Sequence, residues 1–243
     1  MGSESFEKFV RSSANRMGLD ITRYRPSRTE VGRLAAMLAH HDVECVLDIG
    51  ANTGQFAKAL RAANYARRMV SFEPLSSAHR ELSAAAEQDE QWTVADRVAV
   101  GDVEGDIEMH IAGNSVSSSA LDMLDSHVAA APESGYVGTE SAAANTLDTL
   151  VAQYDDATGR MFLKIDTQGY ESKVLDGAAA TLQVAIGVQL ELSMVPLYRQ
   201  QALYGELVER MRGLGFTVWA IWPALFDPDS GRMIQADATF FRD

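Results

Sequence analysis

From residue 43 onward, short apolar runs alternate with amphipathic stretches along the chain. The run at 43–49 is nearly continuous in apolar residues, as a strand covered on both faces is. Residues 55–63 then place Phe56, Ala57, Leu60 and Ala63 on one side of a helix. The same reading predicts strands at 69–72, 97–100, 161–165 and 185–192, and helices at 76–86, 147–154, 171–180 and 203–214. Residues 106–111 alternate apolar and polar with period two, the pattern of a strand with one wet face. Residues 216–221 and 239–241 read as closing strands around the turn-forming Asp227-Pro228-Asp229-Ser230-Gly231. Ahead of residue 43 the spacing in 30–38 predicts a helix, and Pro26 interrupts any helix in the basic, aromatic stretch before it. Repeated strand–helix alternation predicts an α/β fold with a mainly parallel sheet and an antiparallel edge. The expected organisation is an N-terminal helical segment, 1–42, followed by a domain at 43–243. Residues 113–144, rich in Ser, Ala and Gly, are expected to form a long irregular lid.

Composition narrows the function classes. With 243 residues, 47% hydrophobic and 23% charged, the chain is an ordinary globular sequence. A net charge of −13 argues against a nucleic-acid partner, because affinity for a phosphate backbone comes from Lys and Arg displacing counterions. Cys45 is the only cysteine, so no intrachain disulfide forms, and its apolar surroundings predict a buried thiol. No apolar run reaches membrane-spanning length and no signal peptide is recognisable, so membrane insertion is not expected and a cytoplasmic location is.

In a parallel α/β sheet, ligands sit beyond the carboxyl ends of the strands. Asp48, Glu73, Asp166 and Glu191 all fall at or just inside predicted strand ends. Any one of them reads as a helix cap about as well, but all four together point to a site. Gly50 and Gly54 let backbone approach a ligand closely. Their Gly-x-x-x-Gly spacing, with Asn52 between, lacks the middle glycine of a dinucleotide fold, which disfavours a pyrophosphate and an NAD-dependent oxidoreductase. Asp48 in that turn suits an amino group, and Glu73 at the next strand end suits ribose hydroxyls. A phosphate-free nucleoside with an ammonium-bearing tail, such as S-adenosylmethionine, fits all three features.

The segments VLDIGANTGQFAKALR, VSFEP, AVGD, NTLDTL, LKIDTQGYE, VLDGAAATL, VQLELSMVPLY and DATFFR resemble, in that order, the FkbM family of S-adenosylmethionine-dependent methyltransferases. The likeness runs from about residue 18 to 242 and rests most on LKIDTQGYE and GANTGQF. It implies a Rossmann-like class I methyltransferase sheet with helices on both faces. It also implies methyl transfer to hydroxyls of sugars, glycolipids, polysaccharides or polyketide-type small molecules, and the ELSMVPLY and DATFFR segments look most like the sugar-directed members. Carried onto this chain, Asp48, Gly50, Asn52, Gly54, Gln55 and Phe56 would line the methionine half of the cofactor. Glu73 would hold the ribose, and the 98–102 segment, with Ala99 and Asp102, would border the adenine. Ser118 and Ser119 match a serine-rich stretch near cofactor or acceptor.

Methyl transfer to a sugar hydroxyl needs alignment and help with deprotonation, from a carboxylate base or a divalent metal. Asp166 and Glu191 are the candidates for either role, holding the acceptor directly or through Mg²⁺. Gln168, Tyr170 and Glu171 are candidate acceptor contacts, although Glu171 equally suits the first turn of a helix. Tyr24, Arg25 and Arg28 are further acceptor candidates, equally explained as a solvated basic loop. Among the histidines, His40 and His41 read as helix-terminal and His79 as a helix-surface residue. His110 and His127 are conceivable bases that no pairing selects. Trp219 and Trp222 read as core, as an acceptor platform or as part of a homodimer face. The competing reading from another class is a nucleoside-binding regulator without catalysis.

Overall fold

The computed structural model describes residues 3–19, 29–154 and 159–242. Its strands are β1 (Cys45–Ile49), β2 (Arg68–Phe72), β3 (Trp92–Val94), β4 (Ala99–Gly101), β5 (Gly105–Ala112), β6 (Tyr136–Thr146), β7 (Met161–Ile165), β8 (Gly187–Ser193), β9 (Thr217–Phe226) and β10 (Met233–Phe241). The helices are α1 (Ser3–Arg16), α2 (Glu30–His40), α3 (Gln55–Ala62), α4 (Ser76–Ala86), α5 (Asp125–Ala130), α6 (Leu147–Val151), α7 (Glu171–Asp176), α8 (Ala179–Val184) and α9 (Tyr204–Gly213).

Seven strands form one sheet in the order β3-β2-β1-β7-β8-β10-β9. The first five are parallel, and β10 runs antiparallel to both of its neighbours, so the expected Rossmann-like α/β sheet with an antiparallel edge is present. Alternation along each strand decides which layer covers it. Cys45, Leu47, Ile49, Leu163, Ile165 and Val188 face a layer built from Leu147, Val174, Leu182, Leu207 and Met211 of α6 to α9. Val46, Met69, Phe162 and Phe241 face the other way, onto Leu34 and Leu38 of α2, Ala57 and Leu60 of α3, and Leu82 of α4. α2 begins at Thr29, whose Oγ1 accepts the Gly32 N–H at 3.0 Å. Cys45 is buried, as its surroundings predict.

A second sheet of three strands, β4-β6-β5, packs against the start of α4. Met109, Ala142 and Ala144 pack there with Ala99 and with Leu75 and Ala78 at the start of α4. This sheet corrects two expectations. The third strand of the main sheet is Trp92–Val94, not 97–100, because Trp92 packs into the α3–α4 layer and its indole N–H reaches Ser71 Oγ at 2.9 Å. Residues 99–101 belong to the small sheet instead. The stretch 113–144 is also not irregular throughout. It contains α5, and from Tyr136 it forms most of an eleven-residue strand that pairs antiparallel with β5. Only 113–124 carries no strand or helix of its own.

Smaller differences have local causes. The helix expected at 171–180 is two helices that break at Gly177, where a Cβ would stand 1.8 Å from the Gly101 carbonyl oxygen. The closing strands are longer than predicted, and Pro223 is accommodated because β9 is an edge strand. Tyr24, Arg25, Pro26 and Arg28 lie outside the described residues. Among the described residues, no helix is long and apolar enough to cross a membrane.

Candidate active site

The strand order reverses at β1, running to β2 and β3 on one side and to β7 and β8 on the other, and a crevice opens at the carboxyl ends. Its floor is the turn from β1 into α3. Gly50 has φ +78°, and a Cβ there would lie 2.0 Å from the Asp166 carbonyl oxygen, so only glycine lets this turn pass beside the end of β7. Asn52, also left-handed at φ 47°, donates its backbone N–H to Glu73 Oε2 at 2.7 Å. Its side-chain amide donates to Ser115 Oγ at 2.9 Å, tying the turn to the loop after β5. Glu73 Oε1 accepts the Leu75 N–H at 2.8 Å. Burial pushes the Glu73 carboxyl up to about 7 despite these two N–H donors, which favour its charged form.

A cavity of about 330 Å³ fills the crevice. One half of its wall is apolar, with Phe72, Leu75, Val98, Val100, Ile107 and Met109. The other half is polar, with Gln55, Lys164, Asp166, Gln168, Gln189 and Asp237, and Glu30 of α2. Ser115, Val116, Ser118 and Ala120 cover it from the loop after β5.

A charged row runs under the polar half. Asp48 and Lys164 are register partners on neighbouring strands, so their side chains share a face. Asp48 is fully buried and neither of its oxygens has a hydrogen-bond partner; Lys164 Nζ stands 3.6 Å away. The same ammonium lies 3.2 Å from Asp166 Oδ2. Burial raises the Asp48 carboxyl above its ordinary value, more than Lys164 offsets. For Lys164, burial works downward, but Asp166 and Asp48 together hold its pKa above the ordinary value. Asp237 is pushed up to about 7 by burial and by Asp166 and Glu30.

Gln168, left-handed at φ 54°, organises the turn after β7. Its Nε2 donates to Asp166 Oδ1 at 2.8 Å and to Glu191 Oε2 at 3.1 Å, and its Oε1 accepts the Tyr198 hydroxyl at 2.9 Å. Glu191 is held well above its usual pKa by burial and by Asp166, Glu171 and Asp237. Glu171 Oε1 accepts the N–H groups of Thr167 at 3.0 Å and Gly169 at 3.1 Å, so this carboxylate shapes the turn.

Of the residues singled out by the sequence, Gly50, Asn52, Gln55, Phe56, Glu73, Ala99, Ser118, Asp166, Gln168 and Tyr170 line the cavity. Asp48, Gly54, Asp102, Ser119, Glu171 and Glu191 do not, each for a visible reason. Asp48 lies beneath the turn, and a Cβ on Gly54 would meet the Trp92 ring at 2.7 Å, a packing role. Asp102 pairs outside with Lys173 at 2.7 Å. Ser119 Oγ donates to the Gln168 carbonyl at 2.7 Å, Glu171 is turned into its own loop, and Glu191 stands behind Gln168. Glu30, Ser115, Lys164, Gln189 and Asp237 were missed by sequence reasoning, although Lys164 and Asp237 sit inside LKIDTQGYE and DATFFR.

The histidines stay outside the lining. His127 is buried edge-on to Tyr198, His110 stacks on Tyr136, and His79 reaches the Ala95 carbonyl at 2.8 Å. His41 stacks on Phe241, with Trp219 edge-on to it and His40 close by. Trp219 and Trp222, the latter under Arg33, pack along α2 and form no platform in the cavity. Among the described residues, no group of three His, Cys, Asp or Glu side chains is placed to hold a metal ion.

No protein of curated function matches the chain in sequence. Among solved structures, it is similar to magnesium protoporphyrin IX methyltransferase from Synechocystis PCC 6803, solved with bound S-adenosylmethionine (11% identity, 97% of this chain and 96% of that one, TM-score 0.46). It is similar also to a TehB-like S-adenosylmethionine-dependent methyltransferase from Corynebacterium glutamicum (13% identity, 99% and 98%, TM-score 0.41). A third is the glycopeptide N-methyltransferase MtfA (12% identity, 87% of each chain, TM-score 0.42). At these values none of them bears on acceptor or chemistry. The sequence profile of the methyltransferase FkbM domain, by contrast, matches residues 48–218, more than half of the chain and the whole stretch from Asp48 in β1 to the start of β9. The chain belongs to the FkbM methyltransferase family.

Proposed function

We propose that this protein is an S-adenosylmethionine-dependent O-methyltransferase acting on a hydroxyl of a sugar, glycolipid or polysaccharide. The observation that carries the reading is Asp166. Its carboxylate lines the cavity with its side chain 33% exposed, between Lys164 at 3.2 Å and the Gln168 amide at 2.8 Å. That is the position of a base reachable from the cavity.

The lining suits the cofactor. The apolar half matches an adenine, and Glu73 keeps lone pairs free for ribose hydroxyls beyond the two N–H groups it accepts. Asn52 and Gln55, at the turn into α3, are the contacts for the amino-acid tail. When bound, the cofactor supplies a methyl group already activated on a sulfonium. This chain's residues then have two tasks. The polar half of the wall aligns the acceptor oxygen, and positioning of this kind contributes up to about 7–11 kcal/mol. Asp166 takes the hydroxyl proton as the new O–C bond forms, a contribution of roughly 10²–10⁴ in rate.

The arrangement does not suit magnesium. The Gln168 amide nitrogen sits between the Asp166 and Glu191 carboxylates, and the Lys164 ammonium flanks Asp166, so N–H donors take the places a cation would occupy. Glu191 acts here by positioning Gln168. A nucleic-acid acceptor is disfavoured by the net charge of −13.

The test is methyl transfer from radiolabelled cofactor to a panel of monosaccharides, glycolipid fragments and polyketide aglycones, before and after treatment with EDTA. Label transferred to a sugar hydroxyl, unchanged by EDTA, is the expected result. Transfer to aglycones alone would replace the acceptor class, and loss of activity restored by Mg²⁺ would overturn the metal-free base.

A further inference from the structure

We propose that Glu30, Gln189 and Asp237 form a recognition site for a primary ammonium group, carried by the amino-acid tail of the cofactor or by an amino-bearing acceptor. The three residues come from different elements and meet at one place in the wall. Glu191 and Asp237 are register partners, as are Gln189 and Thr239. Gln189 and Asp237 therefore share a sheet face, one diagonal step apart. Glu30, in the first turn of α2, accepts Gln189 Nε2 at 3.3 Å from above.

Two observations call for a ligand rather than a packed polar wall. Gln189 is 4% exposed, and its Oε1 has no hydrogen-bond partner although it belongs to the cavity lining. Buried acceptors are nearly always paired, so a buried carbonyl oxygen without a donor, on a residue of the cavity wall, marks a place for one. The second observation is charge. Lys164 is the only cation lining the cavity among the described residues, and it is committed to Asp48 and Asp166 at 3.6 and 3.2 Å. Among the described residues neither Glu30 nor Asp237 forms a salt bridge, and Lys164 acts on Asp237 only at longer range.

An ammonium carries three donors and no acceptor, which matches two carboxylates and one carbonyl oxygen. A neutral hydroxyl supplies a single donor, and an anion would be repelled. Burial raises the pKa of both Glu30 and Asp237, more than the Gln189 amide offsets at Glu30 or Lys164 at Asp237. The acceptor arm of this inference rests on the O-methyltransferase reading: an amine held as a cation has no lone pair, so the methyl group would still go to oxygen.

Calorimetric titration of wild type, Asp237→Asn and Glu30→Gln, each checked for an unchanged thermal melt, tests the site. The probes are S-adenosylhomocysteine against 5′-methylthioadenosine, which lacks the amino-acid tail, and D-glucosamine against N-acetyl-D-glucosamine. Either variant is expected to weaken an amine-bearing probe roughly tenfold and leave its amine-free counterpart unchanged. A loss confined to S-adenosylhomocysteine assigns the ammonium to the cofactor, and one confined to glucosamine assigns it to the acceptor. The proposal is overturned if wild type binds neither amine-bearing probe, or if the variants weaken both members of a pair equally or neither. Wild type that binds glucosamine but neither nucleoside sinks the cofactor reading and leaves the ammonium site to be decided by the sugar pair.

Discussion

Replacing Lys164 by methionine keeps most of the length of the side chain beneath the Phe56 ring, 5.5 Å from Nζ, but removes the cation between Asp48 and Asp166. Asp166 is partly exposed and water can take over its solvation. Asp48 is fully buried with no close hydrogen-bond partner; Ser71 is the polar group beside it, and among the described residues no other cation stands near it. Its least costly response is to take up a proton. Keeping it neutral at pH 7 costs about 1.4 kcal/mol per pH unit above its ordinary value of 3.8, which sets an upper limit of about 4 kcal/mol. The sign follows from a folded-state pKa above the unfolded one: the proton's contribution is fully present below the unfolded value and is lost as pH rises. The deficit of the variant against wild type therefore shrinks to about 2 kcal/mol or less at pH 5. Asp48→Asn combined with Lys164→Met removes both charges and recovers most of the loss. Urea unfolding of the four proteins between pH 5 and 8 measures this cycle. A deficit independent of pH, or a double variant no better than Lys164→Met alone, would refute the reasoning.

Burial pushes Glu73, Glu171 and Asp237 up to about 7, well above their unfolded values, so the stability they contribute is complete below those unfolded values and is lost as pH rises from there through about 7. Wild type should melt at a higher temperature at pH 5 than at pH 8, with up to about 3 kcal/mol of the difference from Glu73 alone; a melting temperature that rises over this range would contradict the assignment. Tyr198→Phe removes the hydroxyl that donates to Gln168 Oε1 and leaves that part-buried oxygen without its partner, at a cost of about 0.5–1.5 kcal/mol in urea unfolding. Because Gln168 orients Asp166, the same variant should lower the rate of methyl transfer more than the affinity for S-adenosylhomocysteine; equal losses in both would show that Tyr198 acts through folding alone.

The parallel core was legible because its strands are buried on both faces. The apolar run at Met161–Ile165 and the helix at Ser76–Ala86 lie where the pattern places them. Trp92–Val94 and the 97–100 stretch look alike as short apolar runs. What separates them is a distant contact, the Trp92 indole against Ser71 and the Gly54 turn. The strand Tyr136–Thr146 is rich in Ala and Ser, of low strand preference, and owes its shape to pairing with β5 and to Ala142 and Ala144 packing under Met109.

The acids at strand ends were legible as a group, but their directions were not. Asp48 falls on the sheet face that α3 covers, so it supports the site from below. Glu191 turns behind Gln168, a left-handed residue that nothing in the sequence marks as the hub. Asp237 was missed because the strand expected at 239–241 begins six residues earlier, at Met233, and only the antiparallel course of β10 carries its start to the carboxyl ends of the others. Glu30 occupies the first turn of α2, where an acid needs no partner to be favourable, and its contact with Gln189 spans the chain.

Glu73 directly follows β2, lines the cavity and anchors both the Asn52 turn and the start of the α4 segment. Calorimetric titration of S-adenosylhomocysteine into wild type and Glu73→Gln tests it without knowledge of the acceptor. Saturable one-to-one binding to wild type, weakened about tenfold or more in a variant that still folds, is the predicted result. Wild type that gives no binding heat, or a variant that binds as tightly as wild type, would contradict it.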